Sequence, residues 1–228
     1  MGKNDNGNNG RTELVFVVDR SGSMGGLESD TIGGFNSMLS KQRTIAGECR
    51  VTTLLFDHRI ETLHDHLDIR EVNDLTSRDY WVRGSTALLG AIGLAIDRMI
   101  VTQRHTAAAY RAQHVLFVII TDGYENASRR YSLHQIKQMI TYERERYHWE
   151  FVFLGANIDA EQTAGDFGIS PRCATDFHAD GQGIKASFEA VACAATAVRG
   201  GADLEDLNAP DFLGGVRDDY RSRRRMKR

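Results

Sequence analysis

The sequence predicts an α/β fold, a doubly wound and mostly parallel sheet with helices on both faces. Three observations carry that expectation. Residues 14–18 and 115–120 are continuous apolar runs that stop abruptly at polar turn residues, the pattern of strands buried on both faces. Between and after them, segments with helical apolar spacing alternate with short β-branched or aromatic runs. Repeated strand–helix order winds into one sheet through right-handed crossovers. Composition agrees: 228 residues, 41% hydrophobic and 26% charged, describe a globular chain able to bury a substantial core. Two prolines among many helix-like stretches suit this class better than a sandwich.

The elements follow in order. Residues 1–11 are rich in Asn and Gly and read as a flexible tail. Residues 13–19 form the first strand. A helix opens near Glu28 and carries Ile32, Phe35, Met38 and Leu39 on one face. Gly33-Gly34 weakens it but permits close packing on the sheet. Residues 49–56, rich in Val, Thr and Leu, form the second strand. Asp57-His58 turns the chain into residues 59–63, a third strand antiparallel at the sheet edge. His58, His64 and His66 stand near Asp57, Asp65 and Asp68 and raise a metal site there. Alternating His and Asp beside an edge strand reads better as a solvated face that resists edge pairing.

Residues 71–83 are mixed and polar, end in Tyr80-Trp81-Val82-Arg83 and lead to Thr86; Tyr80 and Trp81 are expected to pack this loop against the body, the alternative being that they line a rim beside Thr86. The helix over residues 86–103 is strongly apolar and should be largely buried. Residues 114–121 form the fourth strand. In the loop that follows, Glu125, Arg129 and Arg130 are charged neighbours of its end. A helix over residues 132–147 carries Leu133, Ile136, Met139 and Ile140 on one face. Residues 150–156 form the fifth strand, and Asn157 to Ala160 cap a short helix reaching Phe167. Residues 173–177 suit a short sixth strand, and residues 183–199 a final helix. No clear periodicity follows Gly200. Residues 217–228 form a basic tail, with Arg221, Arg223, Arg224, Arg225, Lys227 and Arg228, read as solvated or as a contact for nucleic acid or an acidic partner.

The chemistry gathers where the first strand ends. Asp19, Ser21 and Ser23 lie just past its carboxyl end, where open α/β sheets place ligands. One carboxylate and two hydroxyls on a tight loop suit a hard divalent cation such as Mg²⁺. Neutral hydroxyls leave that cation's charge largely unneutralised, so it still attracts an outside anion. Thr86 offers another hydroxyl at a loop–helix junction. Asp122 offers a second carboxylate where the fourth strand meets Gly123.

Asp-x-Ser-x-Ser, a distant Thr and a distant Asp-Gly, in this order, resemble the von Willebrand factor A family and its metal-ion-dependent adhesion site. The resemblance covers about residues 12–200. It implies six strands ordered 3-2-1-4-5-6 with the third antiparallel, and so sets the loops after the first and fourth strands side by side. It implies that Ser21, Ser23 and Thr86 lie nearest the ion, with Asp19 and Asp122 acting partly through water. It implies Mg²⁺ as the ion, with Mn²⁺ or Ca²⁺ as alternatives, and a partner protein's Glu or Asp to complete the shell. The chain then divides into a tail (1–11), the domain (12–200) and an extension with the basic tail (201–228). Arg20 is the departure from the pattern; it should point away from the ion and add positive charge near the rim.

Other classes find less support. A net charge of −3 does not make the body an evident nucleic-acid binder. Cys49, Cys173 and Cys193 are widely spaced and odd in number, against a disulfide framework or a zinc site, and read as buried small hydrophobes. The first residues lack the apolar core of a secretory signal and no run approaches membrane-spanning length, so a cytoplasmic location and no membrane contact are expected. Aspartyl-phosphate hydrolases need a second carboxylate two residues after the first, where Ser21 stands. Neither a phosphate-binding Gly-rich Lys loop nor a Gly-x-Ser-x-Gly elbow is present. The expectation is a non-catalytic, metal-dependent protein-interaction domain. Its alternatives are a basic-tail nucleic-acid or acidic-partner binder and, further off, a metal-dependent hydrolase.

Overall fold

Every residue of β1 (Thr12–Asp19) is buried, because this strand sits in the middle of the sheet. The structure, a computed structural model, describes residues 10–226. The tail expected over residues 1–9, and Lys227 and Arg228 of the basic tail, lie outside the described residues. The sheet runs β3-β2-β1-β4-β5-β6. The other strands are β2 (Cys49–Phe56), β3 (Ile60–Asp68), β4 (His114–Thr121), β5 (Glu150–Gly155) and β6 (Ala174–Asp176). All neighbours pair in parallel except β2 and β3. The order 3-2-1-4-5-6, the mixed sheet and the surrounding helices agree with the expected α/β class.

Right-handed crossovers running outward in both directions from β1 place helices on both faces. α1 (Glu28–Arg43) and α5 (Gly181–Arg199) pack together, as do α2 (Leu88–His105) and α3 (Leu133–Tyr147). A capping box at Ser132 and Gln135 starts α3, and the Asp159 side chain caps α4 (Ala160–Asp166). The α1–α5 contact depends on Gly34: a Cβ there would lie 2.4 Å from Phe188 Cδ2, whereas one on Gly33 meets nothing within 4 Å. Gly34→Val is therefore expected to cost about 1–3 kcal/mol through overpacking. Gly33→Ala is expected to stabilise by about 0.5–1 kcal/mol through helix propensity. Urea unfolding of the two variants would test this, and equal effects at both positions would refute it.

β3 continues well beyond the expected hairpin. A register irregularity opposite Val51 to Leu54 lets it turn and carry on. The solvated face expected there is corrected at His64, which is buried, with Nδ1 3.0 Å from Thr53 Oγ1 and its ring stacked near Phe35. Burial lowers its pKa below the usual imidazole range. His66 instead sets Nδ1 2.8 Å from Glu13. Among the described residues, no three His, Cys, Asp or Glu side chains group as a metal cage.

The chain past Gly200 holds a helix that periodicity did not reveal, α6 (Gly214–Met226). It packs on α5 and β6, and Leu204, Leu213 and Val216 join the common core. Its apolar content is too small to announce itself in so arginine-rich a sequence. Ion pairs and carbonyl contacts hold it instead. Arg217 donates to the Pro171, Arg172 and Ala174 carbonyls, and Arg223 pairs with Asp180 and Asp219. The cysteine reading needs one correction. Cys49 and Cys173 are buried but Cys193 is exposed, since an alanine-rich helix offers little contrast between its faces.

Glu150, at the start of β5, supplies a pH dependence. Burial, with the charge of Asp203 adding to it, pushes its carboxyl from 4.5 up to about 7. A raised folded value means the fold favours the neutral form. That stability is intact below the unfolded value and is lost as pH rises through 7. Glu150→Gln should thus leave stability near wild type at pH 4 and raise it by about 2 kcal/mol at pH 8, allowing for partial exposure. Thermal melts at the two pH values check this.

Candidate metal centre

β1 and β4 are adjacent and parallel, with Val18 beside Ile120, so their next residues emerge together at the carboxyl end. There Thr121 Oγ1 donates to Asp19 Oδ2 at 2.6 Å, and the Ser21 backbone N–H donates to Asp19 Oδ1 at 2.7 Å. The loop then doubles back in one 3-10 turn at Gly22–Met24. This sets Ser21 Oγ 3.0 Å from Ser23 Oγ, and Ser23 Oγ donates to Asp122 Oδ1 at 2.5 Å. Thr86 arrives from the start of α2. A Cβ placed on Gly123 would lie 3.5 Å from Ser23 Oγ and 3.6 Å from Thr86 Oγ1, so both hydroxyls face the bare glycine. Asp19, Ser21, Ser23, Thr86 and Asp122, drawn from three distant stretches, meet here. Four are buried and Ser23 is exposed, which opens the cluster to solvent on one side.

Residues around the cluster hold this geometry. The Tyr80 hydroxyl donates to the Asp19 carbonyl at 2.6 Å, fastening the strand end from behind. Asn126 clamps Thr86 from both sides: its Oδ1 accepts from Thr86 N at 2.8 Å and its N–H donates to the Thr86 carbonyl at 3.0 Å. Gly84 takes φ +66 and presses on the His58 ring, and its carbonyl accepts from Gly22 N at 3.1 Å, joining two of the loops. Thr121, directly before Asp122, was the one of these that an acid at a strand end could have pointed to.

Three expectations about the rim change. Arg20 does not bring free charge to it. An extended chain turns successive side chains to opposite sides, so Arg20 departs from Asp19 and is 1% exposed. It pairs with Asp57 at 3.2 Å and Glu61 at 2.6 Å. Asp57 also takes Arg83 at 2.7 Å. Tyr80 packs inward as expected, but Trp81 stays 41% exposed beneath the Arg83 guanidinium, 4.2 Å from its ring centre. Glu125 is a capping group: its carboxylate accepts from Leu89 N near the start of α2 and from Ala127 N and Ser128 N. Arg130 lies 3.9 Å from Asp97.

The electrostatics suit a cation. Burial raises the Asp19 carboxyl above its ordinary range, against the donors from Thr121 and Ser21. Burial, with the charge of Asp19 adding to it, pushes Asp122 up to about 6 despite the Ser23 hydroxyl. Asp122 Oδ2 is buried with no partner among the described residues. An all-oxygen set of hydroxyls and carboxylates with an unpartnered carboxylate oxygen fits a hard divalent ion and offers little to a softer one.

A doubly wound α/β domain with an oxygen-lined cluster at its switch point is thus the class that fold and geometry define. The comparisons carry this one step further, to the von Willebrand factor A fold. No protein-family model and no curated protein sequence matches the chain. Among solved structures, the pilus adhesin SpaC from Lactobacillus rhamnosus GG is similar with a TM-score of 0.59 and 12% identity, over 81% of this chain and 30% of that one. Proximal thread matrix protein 1 from the mussel byssus, with a zinc-occupied MIDAS motif, has a TM-score of 0.56 and 14% identity, over 83% and 47%. The manganese-loaded TRAP protein of Plasmodium vivax has a TM-score of 0.51 and 16% identity, over 78% and 72%. The chain spans about half the length of the mussel protein's chain, 47%. At these identities the likeness is one of fold.

Proposed function

We propose that the chain is a non-catalytic protein-interaction domain that captures an acidic side chain of a partner through a divalent cation, Mg²⁺ in the first instance. The observation that carries this reading is the Ser21–Ser23–Asp122 chain of contacts beside Thr86, with Asp122 Oδ2 left unpartnered at a solvent opening. Ser21, Ser23 and Thr86 would hold the ion through neutral oxygens, with Asp19 and Asp122 behind them. When bound, the ion supplies a positive charge open to a carboxylate. Asp19 fixes the loop: both its oxygens already accept hydrogen bonds. That leaves no second base beside Asp122, which favours capture over hydrolysis. Arg20 is neutralised inside the protein, so attraction of an acidic group rests on the metal. Two similar structures, one manganese-loaded and one with a zinc-occupied MIDAS motif, support a divalent ion at such a site. Three free thiols suit the cytoplasm.

The basic-tail reading is less favoured, because Arg217 and Arg223 are already spent on internal contacts. The test is calorimetric titration with Mg²⁺ and Mn²⁺, with and without excess acetate as a stand-in for the partner's carboxylate. Saturable binding that acetate tightens supports capture of an acid. A natively melting chain that binds neither metal, with or without acetate, would overturn it.

A further inference from the structure

The opposite end of the sheet carries a second candidate site. A cavity of about 170 Å³ opens where α2 and α3 pass the start of β4. Its volume is well under the roughly 300–1,000 Å³ of pockets for drug-sized ligands. It exceeds the roughly 150 Å³ of an engineered apolar cavity that takes one benzene ring. Ile100, Val115 and Trp149 supply apolar wall; Glu143, Arg104 and Arg111 supply charge. Val115 and Asp122 lie seven residues apart along β4 and beyond, so about 23 Å separate this cavity from the metal centre.

Glu143 is the anomaly. It is 4% exposed, lines the cavity, and its carboxylate makes no hydrogen bond with another described residue. Its carboxylate oxygens keep some contact with solvent, since neither is among the fully buried unpartnered atoms of the described residues, but a largely buried carboxylate without a partner is costly. Nothing in α3 requires an acid here, since a packed helix position would take an apolar residue. Arg104 and Arg111 are exposed beside it. The Arg104 charge acts on Glu143 without forming an ion pair with it, and Arg111 spends only Nε, on the Thr106 carbonyl at 2.9 Å.

These charges select among ligands. A simple anion would meet the guanidiniums but leave the Glu143 carboxylate without a partner. A simple cation would suit Glu143 but meet two arginines beside it. A zwitterion answers both, with its ammonium toward the buried carboxylate and its carboxylate toward the guanidiniums. The remaining volume lies against Ile100, Val115 and the indole of Trp149, which suits a short branched aliphatic group.

We propose that this cavity binds a free aliphatic α-amino acid, with Glu143 receiving its ammonium and Arg104 and Arg111 its carboxylate. The proposal is independent of the metal centre and stands or falls without it.

The test is calorimetric titration of the full chain with L-leucine and L-valine. L-leucinamide, which keeps only the cation, and N-acetyl-L-leucine, which keeps only the anion, serve as controls. At least one amino acid is expected to saturate with a Kd below about 1 mM. Each control should bind at least tenfold more weakly. Glu143→Gln and Arg104→Ala, checked for native melting, should each lose tenfold or more, and Asp19→Ala should lose nothing. No saturable binding of either amino acid by the native chain overturns the proposal. So does leucinamide binding as tightly as leucine, or affinity unchanged in both cavity variants.

Discussion

Asp19→Ala is expected to abolish saturable Mg²⁺ and Mn²⁺ binding while leaving the metal-free domain folded. The two effects separate because Asp19 plays two parts. Its carboxylate is one of the two in the cluster, and it ties the loop to β4 through Ser21 N and Thr121 Oγ1. Yet it is a buried acid whose ionisation burial already opposes. Deleting it removes an unfavourable charge along with two hydrogen bonds, so the metal-free stability should change little. Metal-dependent stability should change much. A ligand at a hundred times its Kd stabilises by about 2.7 kcal/mol, which for a domain of this size raises Tm by about 5–10 °C. The wild type should show that shift in Mg²⁺ and the variant none. A variant that still shifts would place the ion elsewhere.

Arg199→Ala is expected to be the most damaging single change outside the sheet, costing about 4 kcal/mol. Arg199 is 2% exposed near the end of α5. Its guanidinium donates to the Gln42 carbonyl at 2.5 Å and the Ile45 carbonyl at 2.8 Å, with longer contacts to Ala46 and Gly47 at 3.4 Å. It thereby caps the carboxyl end of α1, where the helix dipole and the last carbonyls call for a cation. Gln42 answers from α1, donating to the Ala192 carbonyl at 2.9 Å and Thr196 Oγ1 at 3.0 Å. Alanine would take the guanidinium away from the buried Gln42 and the half-buried Ile45 and leave a long void beside them. For a protein of ordinary stability, about 5–15 kcal/mol in all, that is a large share. Chemical unfolding should show it, with Arg199→Lys recovering less than half because one ammonium cannot reach four carbonyls. Gln42→Ala combined with Arg199→Ala should cost less than the sum, since the guanidinium also reaches Gln42 Oε1 at 3.4 Å. A loss under about 1 kcal/mol for Arg199→Ala would mean that water replaces the guanidinium.

Much of this molecule was legible in its sequence, for definite reasons. Strands buried on both faces must be apolar throughout, so β1 and β4 stood out and so did the polar residues ending them. The pieces of the metal centre were legible because each sits where a regular element stops, and such junctions leave a local mark. What they do together was not local. Asp19 and Thr121 touch only because β1 and β4 are neighbours in parallel register, and Thr86 reaches Gly123 only because Asn126 and Gly84 hold its loop.

Where sequence reasoning failed, the deciding contacts were long-range and polar. Arg20 reads as a surface charge until Asp57 and Glu61 are seen around it. α6 reads as a solvated basic stretch until its arginines meet the carbonyls leading into β6 and the Asp180 carboxylate that caps α5. The sequence by itself determined the sheet, its buried strands and the oxygen-bearing residues at their ends, since burial on both faces imposes a pattern that neighbours in the chain must share. The tertiary structure alone decided which charges are neutralised and which remain open, because pairing a charge depends on what folding brings beside it.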